Sequence, residues 1–266
     1  MVTGAPDDAA GSRERHPTVS VITAAWNALD GLKVTVASVA EQTCQDVEHV
    51  IIDGGSTDGT VEWLEGLGGC VRWVSEPDKG IADALNKAVA MARGEYVLAL
   101  QAQDTFFDRN SLARAIPYLS GGEDIVSFDV MFVSARGERR LVSRGLSPQL
   151  AFRNTVPHQG AFCRRDLFSR LGLFDSSFRI AMDYDFFLRA LHSNASARVV
   201  SEILSRMPNT GVSSRLDWPS LRRRFAEFKR AQSNNLRGPG MRAVYAIFWP
   251  LYLTYRRTRA AIEPVR

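Results

Sequence analysis

The sequence predicts an α/β fold built on a mostly parallel, doubly wound sheet, and three observations carry the prediction. Apolar β-branched runs alternate with helical patterns from residue 18 to residue 108, polar and glycine-containing motifs follow those runs, and the rhythm changes after Asp108. TVSVITA (18–24), VEHVIID (47–53), VRWVSE (71–76) and EYVLAL (95–100) are each bounded by turn residues and read as buried strands. Between them, residues 29–42, 58–66 and 81–92 read as helices. In the third, Ile81, Ala84, Leu85, Ala88, Val89 and Ala92 recur at three- and four-residue steps. Strand–helix alternation of this kind feeds a parallel sheet, whose ligands bind beyond the carboxyl ends of the strands. Past Asp108 the pattern becomes α+β. A helix is expected near 109–119, an antiparallel pair from DIVSFDVMFV and ERRLVSR, and helices near 147–154, 166–172 and 183–192.

The 266 residues, 45% hydrophobic and 23% charged, suffice for one large core. Residues 1–17 hold acids and small residues without an apolar core segment and read as a disordered leader, not a signal peptide. Residues 18–215 read as the catalytic domain. The three cysteines are widely spaced, so neither a disulfide framework nor a zinc site is suggested and a reducing cytoplasm fits. No repeat at a fixed period is visible, which argues against solenoids and propellers.

Residues 216–266 read as a basic, aromatic helical tail. From Leu221 onward eleven Lys and Arg face two acids, Glu227 and Glu263, against a net charge of +4 for the whole chain. A mildly acidic body therefore carries a strongly basic end, and no nucleic-acid partner is expected. The apolar run 243–255 is too short to span a bilayer, and Pro250 is expected to break it. Trp249, Tyr252 and Tyr255 with Arg256 and Arg257 suit a segment lying in the membrane interface, with residues 236–266 at the inner face of the cell membrane. The other reading is that these aromatics pack on the domain.

Three motifs carry chemistry. IIDGGSTDGT ends the second strand in Asp53, a carboxylate that must meet donors if buried, while Gly54 and Gly55 permit close approach and Asp58 suits a helix cap. SEPDKGIADALNKAV turns through Pro77, Asp78 and Gly80 into a helix whose N-terminus suits an anion; the turn also reads as a plain surface turn with Lys79 solvated. LALQAQDTF ends the fourth strand in Gln103 and Asp104. The first strand runs into AAWNALDG without GxGxxG, which disfavours a dinucleotide-binding dehydrogenase.

In this order, and with VPHQGAFCRRDLFSRLGLFDSSFRIAMDYDFFLRA further on, residues 18–205 resemble the family 2 glycosyltransferases with a GT-A fold, especially bacterial enzymes that build cell-envelope sugars. The resemblance implies a GT-A fold with an α+β acceptor-side half, a nucleoside-diphosphate sugar donor, a sugar, lipid-linked or other hydroxyl acceptor, and a divalent cation, Mg²⁺ or Mn²⁺. It implies that Ala24, Trp26 and Asp53 lie beside the nucleobase, that Asp78 and Lys79 border the nucleotide, and that Asp83 and Asn86 face the ribose or diphosphate. Asp104 matches the family's metal ligand. Gln103 stands where the family usually has a second acid, so it keeps a carbonyl acceptor without charge and the cation should bind weakly. Asp183 matches the catalytic base, with Met182 in place of a glutamate, and His158 matches a histidine near the diphosphate or metal. Asp185 and Arg189, four residues apart on a helix, read as a structural ion pair. A single displacement with no second nucleophile implies inversion. The competing reading is a catalytically inactive glycosyltransferase-like nucleotide-binding or partner protein, favoured by Gln103 and Met182 and opposed by retention of Asp53, Asp104, His158 and Asp183.

Overall fold

The computed structural model describes residues 2–4, 16–211 and 217–262. Strand β1 spans Val2–Gly4, β2 Val19–Ala25, β3 Val47–Asp53, β4 Arg72–Ser75 and β5 Tyr96–Ala99. Strands β4, β3, β2 and β5 lie side by side in that order and run parallel. Their connections are helices α1 (Leu29–Ala40), α2 (Thr60–Glu65) and α3 (Ile81–Met91). The strands are fully buried along most of their length, as continuous apolar runs require when helices cover both faces. Register aligns Ala25, Asp53 and Ser75 across three strands, so the loops that follow them open on one edge of the sheet.

The second half extends the same sheet. After the two-residue β6 (Thr105–Phe106) and α4 (Ser111–Leu119) come β7 (Ile125–Ser134), β8 (Gly137–Leu141), β9 (Ala161–Arg164), α5 (Arg165–Leu171), α6 (Met182–His192) and β10 (Ala197–Pro208). The order continues β5-β9-β7-β10-β6, with β8 beside β7. Strand β9 runs antiparallel to both β5 and β7. An antiparallel strand starts where its neighbour ends, so β9 brings His158 to the carboxyl end of β5.

Several expectations need correction. Residues 2–4, expected in a disordered leader, add a short strand along β4, whose backbone groups would otherwise form a sheet edge; residues 5–15 lie outside the described residues. The helix expected near 147–154 is only a 3-10 turn at Pro148–Ala151. Strand β10, twelve residues long, was not anticipated because its register shifts around Ile203 break the two-residue alternation.

The tail forms two helices, α7 (Trp218–Asn234) and α8 (Gly238–Ile262). Pro250 does not break α8. Both Pro250 and Ala246, whose carbonyl loses its partner, are exposed, so water can satisfy that group. Leu221 and Phe225 of α7 bury against Trp249 of α8, with Tyr252 edge-on to Phe225. Trp249 and Tyr252 therefore pack inward, against the expectation that they form an interfacial belt. The outward stripe is Val244, Ile247, Leu251 and Tyr255, at helical spacing, with Ile247 and Leu251 each 66% exposed. Among the described residues no helix is long and apolar enough to cross a membrane.

Candidate active site

The ends of β2, β3 and β4 make one wall. Trp26, first past β2, is 68% exposed and offers an indole face at the sheet edge. Gly54 is required beside it, because a Cβ there would lie 2.5 Å from Asp78 Oδ2. Asp78 in turn accepts from the Gly80 amide at 2.7 Å, which shapes the turn into α3. Ala24 is partly buried on β2, and Lys79 is exposed with its amide donating to Asp83 Oδ2 at 3.1 Å. Asp83 also lies 3.7 Å from Lys87, so it caps and braces the first turn of α3.

Two of the expected site residues are engaged by the protein itself. Asp53 is completely buried, and its donors come from the protein. They are the amides of Gly55 and Ser56 at 3.1 and 2.9 Å and the hydroxyls of Ser56 and Ser75 at 2.5 and 2.7 Å. It holds the glycine loop in shape rather than waiting for a nucleobase to supply donors. Asn86 bonds the backbone of Phe174 twice, donating to the carbonyl at 2.8 Å and accepting from the amide at 2.9 Å. That pair staples α3 to the segment before α6.

The second wall forms where β5, β9 and α6 meet. Asp104 is buried, and its Oδ2 accepts from the Gln101 amide at 2.9 Å. Burial pushes its carboxyl up to about 6, opposed by the charge of His158 and by hydrogen bonds from Gln101 and Gln159. Gln103 does not share that position. It adopts a left-handed φ of 81° and lies over Gly31, where a Cβ would come within 2.5 Å of its Cγ. Its carbonyl oxygen accepts the Thr210 hydroxyl. Gln103 is thus anchored within the turn, at a positive φ that is costly for a non-glycine residue to keep without such anchors.

Asp183 lies in the first turn of α6. Its Oδ2 takes hydrogen bonds from Asn154 Nδ2 at 3.0 Å and His158 Nδ1 at 3.1 Å, and its Oδ1 accepts the Tyr184 amide at 2.7 Å. Met182 is buried in the core, so the position of the missing glutamate faces inward. Burial favours neutral His158, but the hydrogen bond and charge of Asp183, with the charge of Asp104, outweigh it and raise its pKa above the usual value. Nε2 of His158 is shielded from solvent and has no protein partner. With Nδ1–H committed to Asp183, that atom presents a bare lone pair when the ring is neutral and an N–H when it is charged. Behind the pair, Ile22, Val97, Phe168 and Phe186 line a small apolar cavity, which keeps water from that side. Asp185 is structural, paired to Arg189 at 2.9 Å and bonded by Asn235 at 2.8 Å.

Two residues were missed in the sequence. Gln101, at the very end of the fourth strand run, leaves Nε2 buried and unpartnered at the same site. Asn154 follows no motif, and only the fold brings it to Asp183.

A divalent cation fits this donor set. A buried carboxylate and an orphaned imidazole nitrogen can supply two ligands, and hard cations complete their shells with phosphate and water. Among the described residues no cluster of three or more His, Cys, Asp or Glu could hold the ion by itself, so the donor must complete the site.

The sequence model described as Glycosyl transferase family 2 matches residues 20–170. An uncharacterized glycosyltransferase of Mycobacterium tuberculosis is 39% identical over 180 residues, 65% of this chain and 69% of the relative. A PGL/p-HBAD biosynthesis glycosyltransferase of Mycobacterium bovis is 32% identical over 185 residues, 67% of this chain and 72% of the relative. Among solved structures, S. aureus TarS 1-349 in complex with UDP-GlcNAc superposes with a TM-score of 0.70 at 20% identity, covering 94% of this chain and 76% of that one. The mannosyltransferase PcManGT from Pyrobaculum calidifontis, in complex with GDP-Man and Mn²⁺, gives 0.65 at 21% identity, covering 97% and 79%. The fold is therefore that of the GT-A glycosyltransferases.

The raised pKa of Asp104 has a measurable consequence. Its folded value lies above the unfolded one, so the folded state holds the extra proton between about pH 4 and pH 6, and stability falls as pH rises through that window. Asp104→Asn should stabilise the cation-free protein at pH 7.5 by roughly 1–3 kcal/mol, and the gain should vanish near pH 4. Urea unfolding at both pH values checks this; a variant less stable than the parent at pH 7.5 would show that the carboxylate is already compensated.

Proposed function

Because the chain belongs to glycosyl transferase family 2, we propose that it is an inverting glycosyltransferase of the hexosyl type that moves a sugar from a nucleoside-diphosphate donor to an acceptor hydroxyl in envelope polysaccharide or glycolipid synthesis. One observation carries the reading: Asp104, His158 and Asp183, from three elements far apart in sequence, converge at the open edge of the sheet with a buried, unpartnered nitrogen among them. A nucleobase stacks on the exposed face of Trp26, with Ala24 beside it and Asp53 holding the loop beneath. The Asp78 turn, Lys79 and the start of α3 with Asp83 line the nucleotide. Asp104 and His158 would hold a divalent cation, Mg²⁺ or Mn²⁺, which when bound would supply charge neutralisation of the departing diphosphate.

The acceptor hydroxyl gives its proton to Asp183 as its oxygen bonds to the anomeric carbon, and the electron pair of the breaking bond leaves with the diphosphate. Attack opposite the leaving group inverts the centre. Asn154, His158 and the Tyr184 amide fix the carboxylate for that task.

Nucleotide sugars bound by similar structures, UDP-GlcNAc and GDP-Man, define the panel to test. A bound donor should raise the melting temperature, by the equivalent of about 2.7 kcal/mol at a hundredfold excess over Kd, more strongly with Mn²⁺. Asp104→Ala should abolish the Mn²⁺ increment. No shift with any UDP- or GDP-sugar would sink the reading.

We also propose that the protein works in the cytoplasm, peripheral at the inner face of the cell membrane, where α8 lies on anionic lipid. Val244, Ile247, Leu251 and Tyr255 enter the interface, and Arg257 and the rest of the basic tail meet headgroups. The full chain should cosediment with phosphatidylglycerol vesicles and not with phosphatidylcholine alone, and Ile247→Asp with Leu251→Asp should release it. Equal recovery of parent and double variant with the anionic vesicles would refute the docking face.

A further inference from the structure

From Leu221 onward the tail carries eleven basic residues and two acids, Glu227 and Glu263, and Glu227 lies within the described residues. Glu227 of α7 reaches the segment that enters α6. Its Oε2 accepts from the amides of Ile180 at 2.8 Å and Ala181 at 2.9 Å, and the amide of Arg179 donates to both oxygens at 3.2 Å. Ala181 is the N-cap of α6 and has no side chain able to cap it. Helix starts leave amides unsatisfied and gather positive potential, so a carboxylate set against successive amides is a strong, directional anchor. Asp183 is two residues beyond that anchor.

Other bonds run along the same seam. Trp249 Nε1 donates to Gln232 Oε1 at 2.7 Å, Gln232 Nε2 donates to the Tyr184 hydroxyl at 2.9 Å, and that hydroxyl donates to the Leu150 carbonyl at 2.8 Å. Tyr245 donates to the Ala151 carbonyl at 2.6 Å. The helical hairpin thus grips the residues on both sides of Asp183 and also the turn that leads to Asn154, the partner of its Oδ2. Gln232, Tyr184 and Trp249 are all buried, so the bonds from Trp249 to Gln232 and from Gln232 to Tyr184 have no water as a ready substitute.

We propose that Glu227 is a positioning residue for Asp183, through which the α7–α8 hairpin sets the first turn of α6 and completes the active site. The functional part rests on the reading of Asp183 as the base; the positional part does not. Removing Glu227 frees three amides and lets the α6 entry shift, and displacement of a reacting group by about 1 Å costs on the order of a hundredfold in rate.

The test compares Glu227→Ala and Glu227→Gln in the full chain, with Lys229→Ala on the exposed side of the same helix as control. Amide hydrogen exchange reads the position directly. In Glu227→Ala, peptides covering 179–185 should exchange at least about tenfold faster, with 186–192 unchanged. Glu227→Gln, which keeps an acceptor oxygen, should fall between. For the donor that shifts melting in the panel above, kcat should fall about 10- to 100-fold in Glu227→Ala while the donor KM stays within about threefold, with partial recovery in Glu227→Gln. A residue that served stability alone would lower the melting temperature and leave kcat of the folded protein intact. Unchanged exchange over 179–185, or unchanged kcat in folded Glu227→Ala, overturns the proposal. If no donor is turned over by the parent, the functional reading fails while the exchange measurement still decides the positioning.

Discussion

The hydrogen bond from His158 to Asp183 is the contact on which the site depends. It ties the turn before β9 to the first turn of α6, two elements with no direct strand pairing between them. Its position follows from the sheet: β9 is the antiparallel strand inserted beside β5, so its start meets the end of β5 and Asp104. The pair also sets the electrostatics. His158 lies near two carboxylates; burial lowers its pKa, but the hydrogen bond and charge of Asp183 with the charge of Asp104 outweigh that and raise it above the usual value. Asp104 carries the opposite strain, since burial pushes its carboxyl up to about 6 against the charge of His158. A site that stores unfavourable burial on one side and an unpartnered nitrogen on the other is built to receive a charged ligand.

Much of this was legible in the chain. The four parallel strands, the helices between them and the loop motifs at their carboxyl ends follow from runs of β-branched residues and from periodicity, which act locally. Asp104, His158 and Asp183 were singled out in the sequence because the motifs keep the family's order, and the fold brings His158 against Asp183. What sequence could not give was the partner of each polar group. Asp53 and Asn86 sit in the expected motifs, yet Asp53 is met by its own loop and by Ser75 on β4, and Asn86 by the Phe174 backbone, 88 residues away. Gln103 was read as a weakened ligand, whereas positive φ and the contact with Gly31 make it part of the turn. In each case a long-range contact decided the role, and no local pattern encodes it.

The tail shows the same limit from the other side. Composition made it basic and aromatic, and both features suit a membrane surface. Packing divides them: Phe225, Trp249 and Tyr252 form the inside of a hairpin, while Val244, Ile247 and Leu251 remain outside. The proline that should have interrupted α8 falls on its exposed side, where the lost hydrogen bond is cheap. The hairpin also joins the catalytic half through Glu227, Gln232 and Asn235, so the chain works as one body from the glycine loops to α8.

The central claim is that Asp183 takes the acceptor proton. The direct measurement is turnover of Asp183→Asn at saturating substrates beside its donor affinity. Asparagine keeps the size and can still accept from Asn154 or His158, but it cannot take a proton. In that variant kcat should fall by about 10²- to 10⁴-fold while the donor dissociation constant changes less than about threefold. Near-normal kcat in that variant would contradict it and move the base elsewhere.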